Sequence, residues 1–282
     1  DGPFYAILSV YGLWKLTGDE TRLIEWYPLL NEAQQYLRDS SFNPRLGLYS
    51  EMYVNEAPFK SAPEWQAGER YPAMKVGEDW PLRNYGLYTN HINYASHLML
   101  SQIAEAIGRR DGAKAHAGRA AALTDAVDTY LWDTQQGRYH AGLGEMEDGQ
   151  LAELDWNYWD IYFAYIWAVT LFPEALHPER SLESLDAILH QREPGLFPGT
   201  PERLYFAPGW AHAAWKYATE GQYGKSRQCL EPLSEAFNQV AYNPAMEALY
   251  WMKGAGVELI GNAALHRPEA FCIGPYFQAM TG

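Results

Sequence analysis

The sequence predicts an all-α toroid of stacked helical hairpins. Three observations carry the prediction. Apolar residues recur at steps of three and four along most of the chain, a helix–turn–helix–ribbon unit repeats, and long aromatic returns join the units.

The first helix is read over residues 3–16, where Phe4, Ile7, Leu8, Tyr11 and Trp14 form one stripe. Gly18 in "TGD" ends it, and Asp19 or Thr21 can cap the next helix. That second helix carries Leu23, Trp26, Leu30, Ala33 and Leu37 as its apolar stripe, and an extended piece, "NPRLGLYSE", follows. The same order then recurs. "NYASHLMLSQIAEAIGRRD" reads as a helix ending at Gly108, "GAKAHAGRAAALTDAVDTYLWD" as its partner and "TQQGRYHAG" as the extended piece. Gly18 precedes Gly47 by 29 residues, Gly108 precedes Gly137 by 29, and a tyrosine (Tyr49, Tyr139) stands two residues after each second glycine. A third hairpin turns at Gly221, and "WDIYFAYIWAVTLF", aromatic on all sides, reads as a deeply buried helix.

Stacked hairpins build either an open solenoid or a closed toroid. The returns 53–88 and 190–210 are longer than about 15 residues, the length above which a loop is usually functional or disordered. They are too aromatic for disorder. This favours the toroid, with its loops gathered at one mouth. Residues 1–282 are read as a single domain, the C-terminal portion of a longer protein lacking some N-terminal elements.

Composition narrows the function. A net charge of −14 argues against nucleic acid and anionic membrane surfaces, and no apolar run is long enough to span a bilayer. Cys229 and Cys272 are too few for a disulfide framework or a zinc site, and no metal-ligand, phosphate-cradle, dinucleotide or serine-elbow motif is present. No cofactor is expected. The 11 Trp, 21 Tyr and 10 Phe suit sugar rings as well as a large core.

The densest cluster of chemistry is "GEDWPLRNYGLY". Glu78, Asp79, Trp80, Arg83, Asn84 and Tyr88 lie in a stretch that Gly77, Pro81 and Gly86 keep from being helical. Together with "LTGD", the helix from 93 and "LWDTQQGRYH", it resembles the six-hairpin (α/α)6-barrel glycosidases. The resemblance is nearest to the group of family 63 glucosidases, mannosylglycerate hydrolases, trehalases and debranching glucosidases, and it covers most of the chain. It implies an (α/α)6 barrel, a carbohydrate substrate and an inverting two-carboxylate mechanism, with Asp79 as general acid in the loop before the helix. Such an acid must stay protonated, which apolar contact or a neighbouring acid favours. Asp79 stands between Glu78 and Trp80, and adjacent loop side chains point apart, so one acid of the pair enters the pocket.

The resemblance also implies a base ahead of a Tyr–Asn–Pro turn. Tyr242–Asn243–Pro244 matches that turn, but Gln239 fills the slot before it, and an amide cannot act as a base. Glu247 takes the role, with Glu269 and Glu202 in reserve. Substrate contacts are expected from Trp80, Arg83, Asn84 and Tyr88, from Trp156 and Trp159 in "LDWNYWD", and from Trp210 and His212 in "FAPGWAHAAW". An Arg83 fork suits a glycerate or uronate carboxylate, or simply pairs with Asp79. Asp155 or Asn157 caps a helix. His91 and His97 read as capping or core histidines. Two rivals use the same residues. "RNYGLYTNH" holds the groups of a β-eliminating polysaccharide lyase, and Gln239 suits a non-catalytic sugar-binding toroid.

Overall fold

The computed structural model describes residues 2–50, 76, 79, 81–140, 142–154, 176–191 and 214–239. Contacts divide the chain into two units, Asp1–Asn157 with Leu171–Arg180, and Tyr158–Thr170 with Ser181–Gly282. The described residues are mostly helical, and the fold class is all-α.

In the first unit α1 (Gly2–Thr17) and α2 (Thr21–Ser41) form one hairpin, and α3 (Leu87–Ala106) and α4 (Arg110–Tyr130) form the next. Gly18 and Gly108, at φ 69° and 73°, make the two turns, in a left-handed conformation that a Cβ disfavours. The Asp19 carboxylate accepts the Thr21 backbone N–H at 2.9 Å, holding one of the orphan donors at the start of α2. Hydrogen bonds from Thr21, its hydroxyl first, keep that carboxyl below its ordinary range.

Each hairpin runs into a two-residue antiparallel ribbon. The first pairs β1 (Phe42–Asn43) with β2 (Leu48–Tyr49), and the second pairs β4 (Trp132–Asp133) with β5 (Arg138–Tyr139). The Gly-x-Tyr recurrence acquires its structural meaning here. Tyr49 lies opposite Phe42 with ring centroids 5.1 Å apart, and Tyr139 lies opposite Trp132 at 4.9 Å, both edge to face. Both tyrosines are fully buried. The repeat is thus helix, glycine turn, helix, aromatic ribbon. In the second unit, helical residues 214–219, Gly221 at φ 73° and a helix Tyr223–Gln239 (α6) repeat the hairpin; α5 (Pro178–Gln191) has its first three residues in the first unit and the rest in the second. The predicted aromatic helix in 158–172 lies outside the described residues.

Two details differ from the sequence pattern. The buried stripe of α2 is Leu23, Tyr27, Leu30, Gln34 and Ser41, so Tyr27 takes the inward place expected of Trp26, which is 44% exposed. Gln34 goes inside because Asn93 Oδ1 accepts its Nε2–H at 2.7 Å. The helix predicted from residue 93 begins at Leu87, directly after an extended strand, and it packs against α1, α2 and α4. Buried on nearly every side, α3 is the inner helix of this unit.

Being inner, α3 carries polar groups that must be satisfied internally. Tyr49, His97, His116 and Asn31 form one chain: Tyr49 Oη to His97 Nε2 is 3.0 Å, His97 Nδ1 to His116 Nδ1 is 3.1 Å, and His116 Nε2 to Asn31 Oδ1 is 3.0 Å. With the Asn31 oxygen accepting, His116 carries its proton on Nε2, His97 donates from Nδ1, and Tyr49 donates to His97 Nε2. Every member is then neutral and partnered. Burial, followed by each ring's charged neighbours, pushes His97 down to about 3 and His116 down to about 4. His91, 1% exposed and edge-on to Tyr139, has no hydrogen-bond partner on either nitrogen among the described residues and is also pushed down to about 3, mainly by burial.

The unfolded chain therefore takes up protons at these histidines before the folded one does. Stability is complete above about pH 6.5 and falls as pH drops toward the folded values. We expect urea unfolding to show a loss of at least about 2 kcal/mol between pH 6.5 and 4. A flat profile across that window would contradict the neutral buried chain.

Candidate active site

The segment bearing the predicted acid is built from the backbone outward. Val76 and Asp79 exchange both backbone hydrogen bonds, at 3.0 and 3.1 Å, closing a four-residue turn. Pro81 then packs against Gly144, where a Cβ would lie 2.8 Å from the proline Cβ, so only glycine admits the ring. The Leu82 N–H donates to the Glu145 carbonyl at 2.8 Å, and β3 (Arg83–Gly86) continues as one edge of a three-stranded antiparallel sheet. Its partners are β6 (Gly142–Glu145) and β7 (Leu151–Glu153), with Arg83 opposite Glu145 and Gly86 opposite Gly142.

Side chains join this sheet to the first ribbon. Tyr85 donates to Glu145 Oε2 at 2.6 Å and accepts from Asn43 Nδ2 at 2.6 Å, while Arg45 pairs with Glu145 Oε1 at 2.5 Å. Burial, and then the Glu145 carboxylate, raise the Tyr85 phenol above its ordinary range, so it remains a donor. Asn90, fully buried one turn into α3, makes the second junction. Its Oδ1 accepts the Tyr49 N–H at 2.8 Å, and its Nδ2 donates to the Tyr49 and Gly86 carbonyls at 3.1 and 2.8 Å. One amide thus serves as the strand partner of β2 and the fastening of β3 where α3 begins.

Of the predicted site residues, Asp79 and Arg83 are exposed, Tyr88 is half-buried on the first turn of α3, and Asn84 is fully buried. Asp79, Arg83, Asn84 and Tyr88 follow one another through the turn, β3 and the start of α3. The exposure of Asp79 differs from the enclosed setting expected of a general acid. The buried Asn84 offers no surface, so the open polar face of this segment comes from Asp79 and Arg83. Glu78, Trp80, Trp156, Trp159, Glu202, Trp210, His212, Glu247 and Glu269 lie outside the described residues. Gln239 is the last residue of α6. Sequence reasoning missed Glu145, Arg45, Asn43 and Asn90, which hold the segment in place. The alternation Gly142-x-Gly144 before the "EDG" turn was the available signal for the strand that carries Glu145. No group of three or more metal-ligating side chains occurs among the described residues.

The Asn90→Ala variant leaves a buried N–H and two buried carbonyls short of a partner. It should lose about 3 kcal/mol of unfolding free energy, measured in urea. A loss below about 1 kcal/mol would remove Asn90 from its organising role.

The family model described as the mannosylglycerate hydrolase MGH1-like glycoside hydrolase domain matches residues 2–152, more than half of the chain. No curated protein and no solved structure matches it. The matched stretch contains Asp79, Arg83 and the whole anchoring network, and it ends before Trp156. Both hairpins and both ribbons of the first unit fall within it, as the predicted resemblance to helical-hairpin glycosidases requires. The chain belongs to the MGH1-like glycoside hydrolase family and is a glycosidase.

Proposed function

We propose that this glycosidase inverts configuration, and that its substrate is a small glycoside with an acidic aglycone of the glycerate kind. Asp79 protonates the leaving oxygen, and Glu247 activates a water on the opposite face of the sugar. The observation that supports this most directly is the pairing of an exposed carboxyl and an exposed guanidinium, Asp79 and Arg83, on one backbone segment within the family match. A guanidinium forks onto a carboxylate with two parallel hydrogen bonds, which gives Arg83 a role toward the aglycone beside the scissile oxygen. The family's printed description, a mannosylglycerate hydrolase, names a substrate of this type.

The exposure of Asp79 leaves its carboxyl open to an incoming sugar, which displaces water from it. Inversion asks that the two carboxyls stand about 6.5–9.5 Å apart, leaving room for the water. Residues 1–282 are read as one (α/α)6 barrel, with Trp80, Tyr88, Trp156, Trp159, Trp210 and His212 lining the mouth. A lyase reading draws on Asn84 and His91, and both are buried.

Two variants test the roles. Asp79→Asn should lower kcat on mannosylglycerate by roughly 10²–10⁴-fold. It should lose much less on a nitrophenyl mannoside, whose leaving group departs without a proton. Undiminished activity on mannosylglycerate, or a product with new ultraviolet absorbance, would overturn the assignment. Arg83→Ala should raise KM for mannosylglycerate by about tenfold or more, a loss of roughly 1.4 kcal/mol of binding, and leave KM for the neutral mannoside unchanged. Equal effects on both substrates would remove Arg83 from aglycone recognition.

A further inference from the structure

The first unit contains a cleft of about 230 Å³ that none of Asp79, Arg83, Asn84 or Tyr88 lines. Its walls come from the end of α2, the first ribbon and the middle of α4, with Tyr49 and His97 among the lining residues and Ala115, Gly118, Ala122 and Leu123 along one side. Two guanidiniums line it, Arg38 from α2 and Arg119 from α4. Both are half-buried, and neither has a carboxylate partner among the described residues.

That pairing is unusual in a chain of net charge −14, where acids outnumber bases 35 to 21. Arg38 is also fixed in direction, since its guanidinium lies 4.1 Å from the centre of the Phe42 ring. Arg119 is steadied by Gln35, with Nη2 to Oε1 at 3.5 Å. Tyr49 and His97 are already committed to the buried neutral chain, so neither supplies a counter-charge. Burial raises the Tyr49 phenol, and Arg38 and Arg119 both pull against that rise, which places the two positive charges within electrostatic reach of the same hydroxyl. Like charges converging on one partly desolvated space repel, and a bound anion removes the repulsion while accepting hydrogen bonds from both forks.

We propose that this cleft is an anion-binding site for a small organic oxyanion, a carboxylic acid or a phosphate ester, held by Arg38 and Arg119. The apolar wall of Phe42, Ala115, Ala122 and Leu123 takes the carbon body of the ligand. A space of about 230 Å³ gives room for a compact molecule. The site is independent of the catalytic reading, because none of its residues takes part in the proposed hydrolysis.

Calorimetric titration of the full chain at low ionic strength tests it, with inorganic phosphate, glycerate and neutral glycerol as probes. Phosphate, glycerate or both should bind, while glycerol gives no heat of binding. Arg38→Gln and Arg119→Gln should each raise Kd by roughly tenfold or more, and Arg119→Lys should recover part of the loss. Binding of phosphate alone identifies phosphate esters as the ligand class, and binding of glycerate alone identifies carboxylic acids. Either result supports the site. Absence of heat with both anions, or a Kd unchanged in both glutamine variants, overturns it. Glycerate bound at the catalytic centre would be unaffected by either variant, so the two sites remain distinguishable. The arginines stand on different helices and are partly exposed, so the second variant serves where the first fails a circular-dichroism check of folding.

Discussion

The three hydrogen bonds of Asn90 are the constraint on which the first unit depends. A strand of two residues has little hold on its surroundings, yet β2 must carry Tyr49 to a fixed place beneath α3. Asn90 supplies that hold by presenting an amide to the Tyr49 N–H and C=O as a neighbouring strand would, and by fastening Gly86 with its second N–H. Buried polar groups are tolerated when every donor and acceptor finds a partner, and here one side chain satisfies three backbone groups. The strand β3 is therefore held by the β6 ladder along its length and by Asn90 where it becomes α3. Tyr85 adds a third tie through Asn43 and Glu145. Arg83 projects from a strand held at both ends, which suits the positioning role proposed for it.

The same logic runs through the interior. α3 buries two histidines and two asparagines along with its apolar residues, and the hydrogen-bond chain from Tyr49 to Asn31 passes through α3 to join the first ribbon, α4 and α2. Such a chain fixes which helix faces which, because a slip of one residue would strand several donors at once. His91 departs from this, with neither nitrogen hydrogen-bonded among the described residues, and Gln34 leaves its Oε1 without a partner there too. The neutral ring of His91 fits against Tyr139 by shape alone, and its charged form is unwelcome there.

Much of the fold was legible in the sequence because it follows from local rules. Gly18, Gly108 and Gly221 mark turns that need a left-handed backbone, and the repeated spacing to Gly47 and Gly137 marks the ribbons. The Gly-x-Tyr recurrence was visible as a pattern; its cause, an edge-to-face aromatic pair across each ribbon, was not, because it needs the partner strand. Trp26 and Tyr27 were exchanged for a similar reason. Both are aromatic and adjacent, and only the position of the α3 surface decides which turns inward. The pairing of β3 with β6 was missed because both strands are short and more than fifty residues apart, so no local period announces it; the β6–β7 hairpin had only the Gly142-x-Gly144 alternation and the following turn to mark it. Asp79 and Arg83 are proposed from their chemistry and from the segment that bears them. The residues that hold them, Asn43, Arg45, Asn90 and Glu145, carry ordinary polar side chains whose importance comes only from what they meet in three dimensions.

An inverting reaction leaves a mark in its first product that later equilibration erases. The most direct measurement is therefore proton NMR of the wild type incubated with mannosylglycerate, the proposed substrate, recorded within the first turnovers and before the free sugar mutarotates. The account predicts that the first mannose released has the anomeric configuration opposite to that of the substrate. Release of the same configuration would mean a covalent intermediate and carboxyls about 5–5.5 Å apart. That outcome would contradict the water-bearing pair of acids on which the proposed mechanism rests.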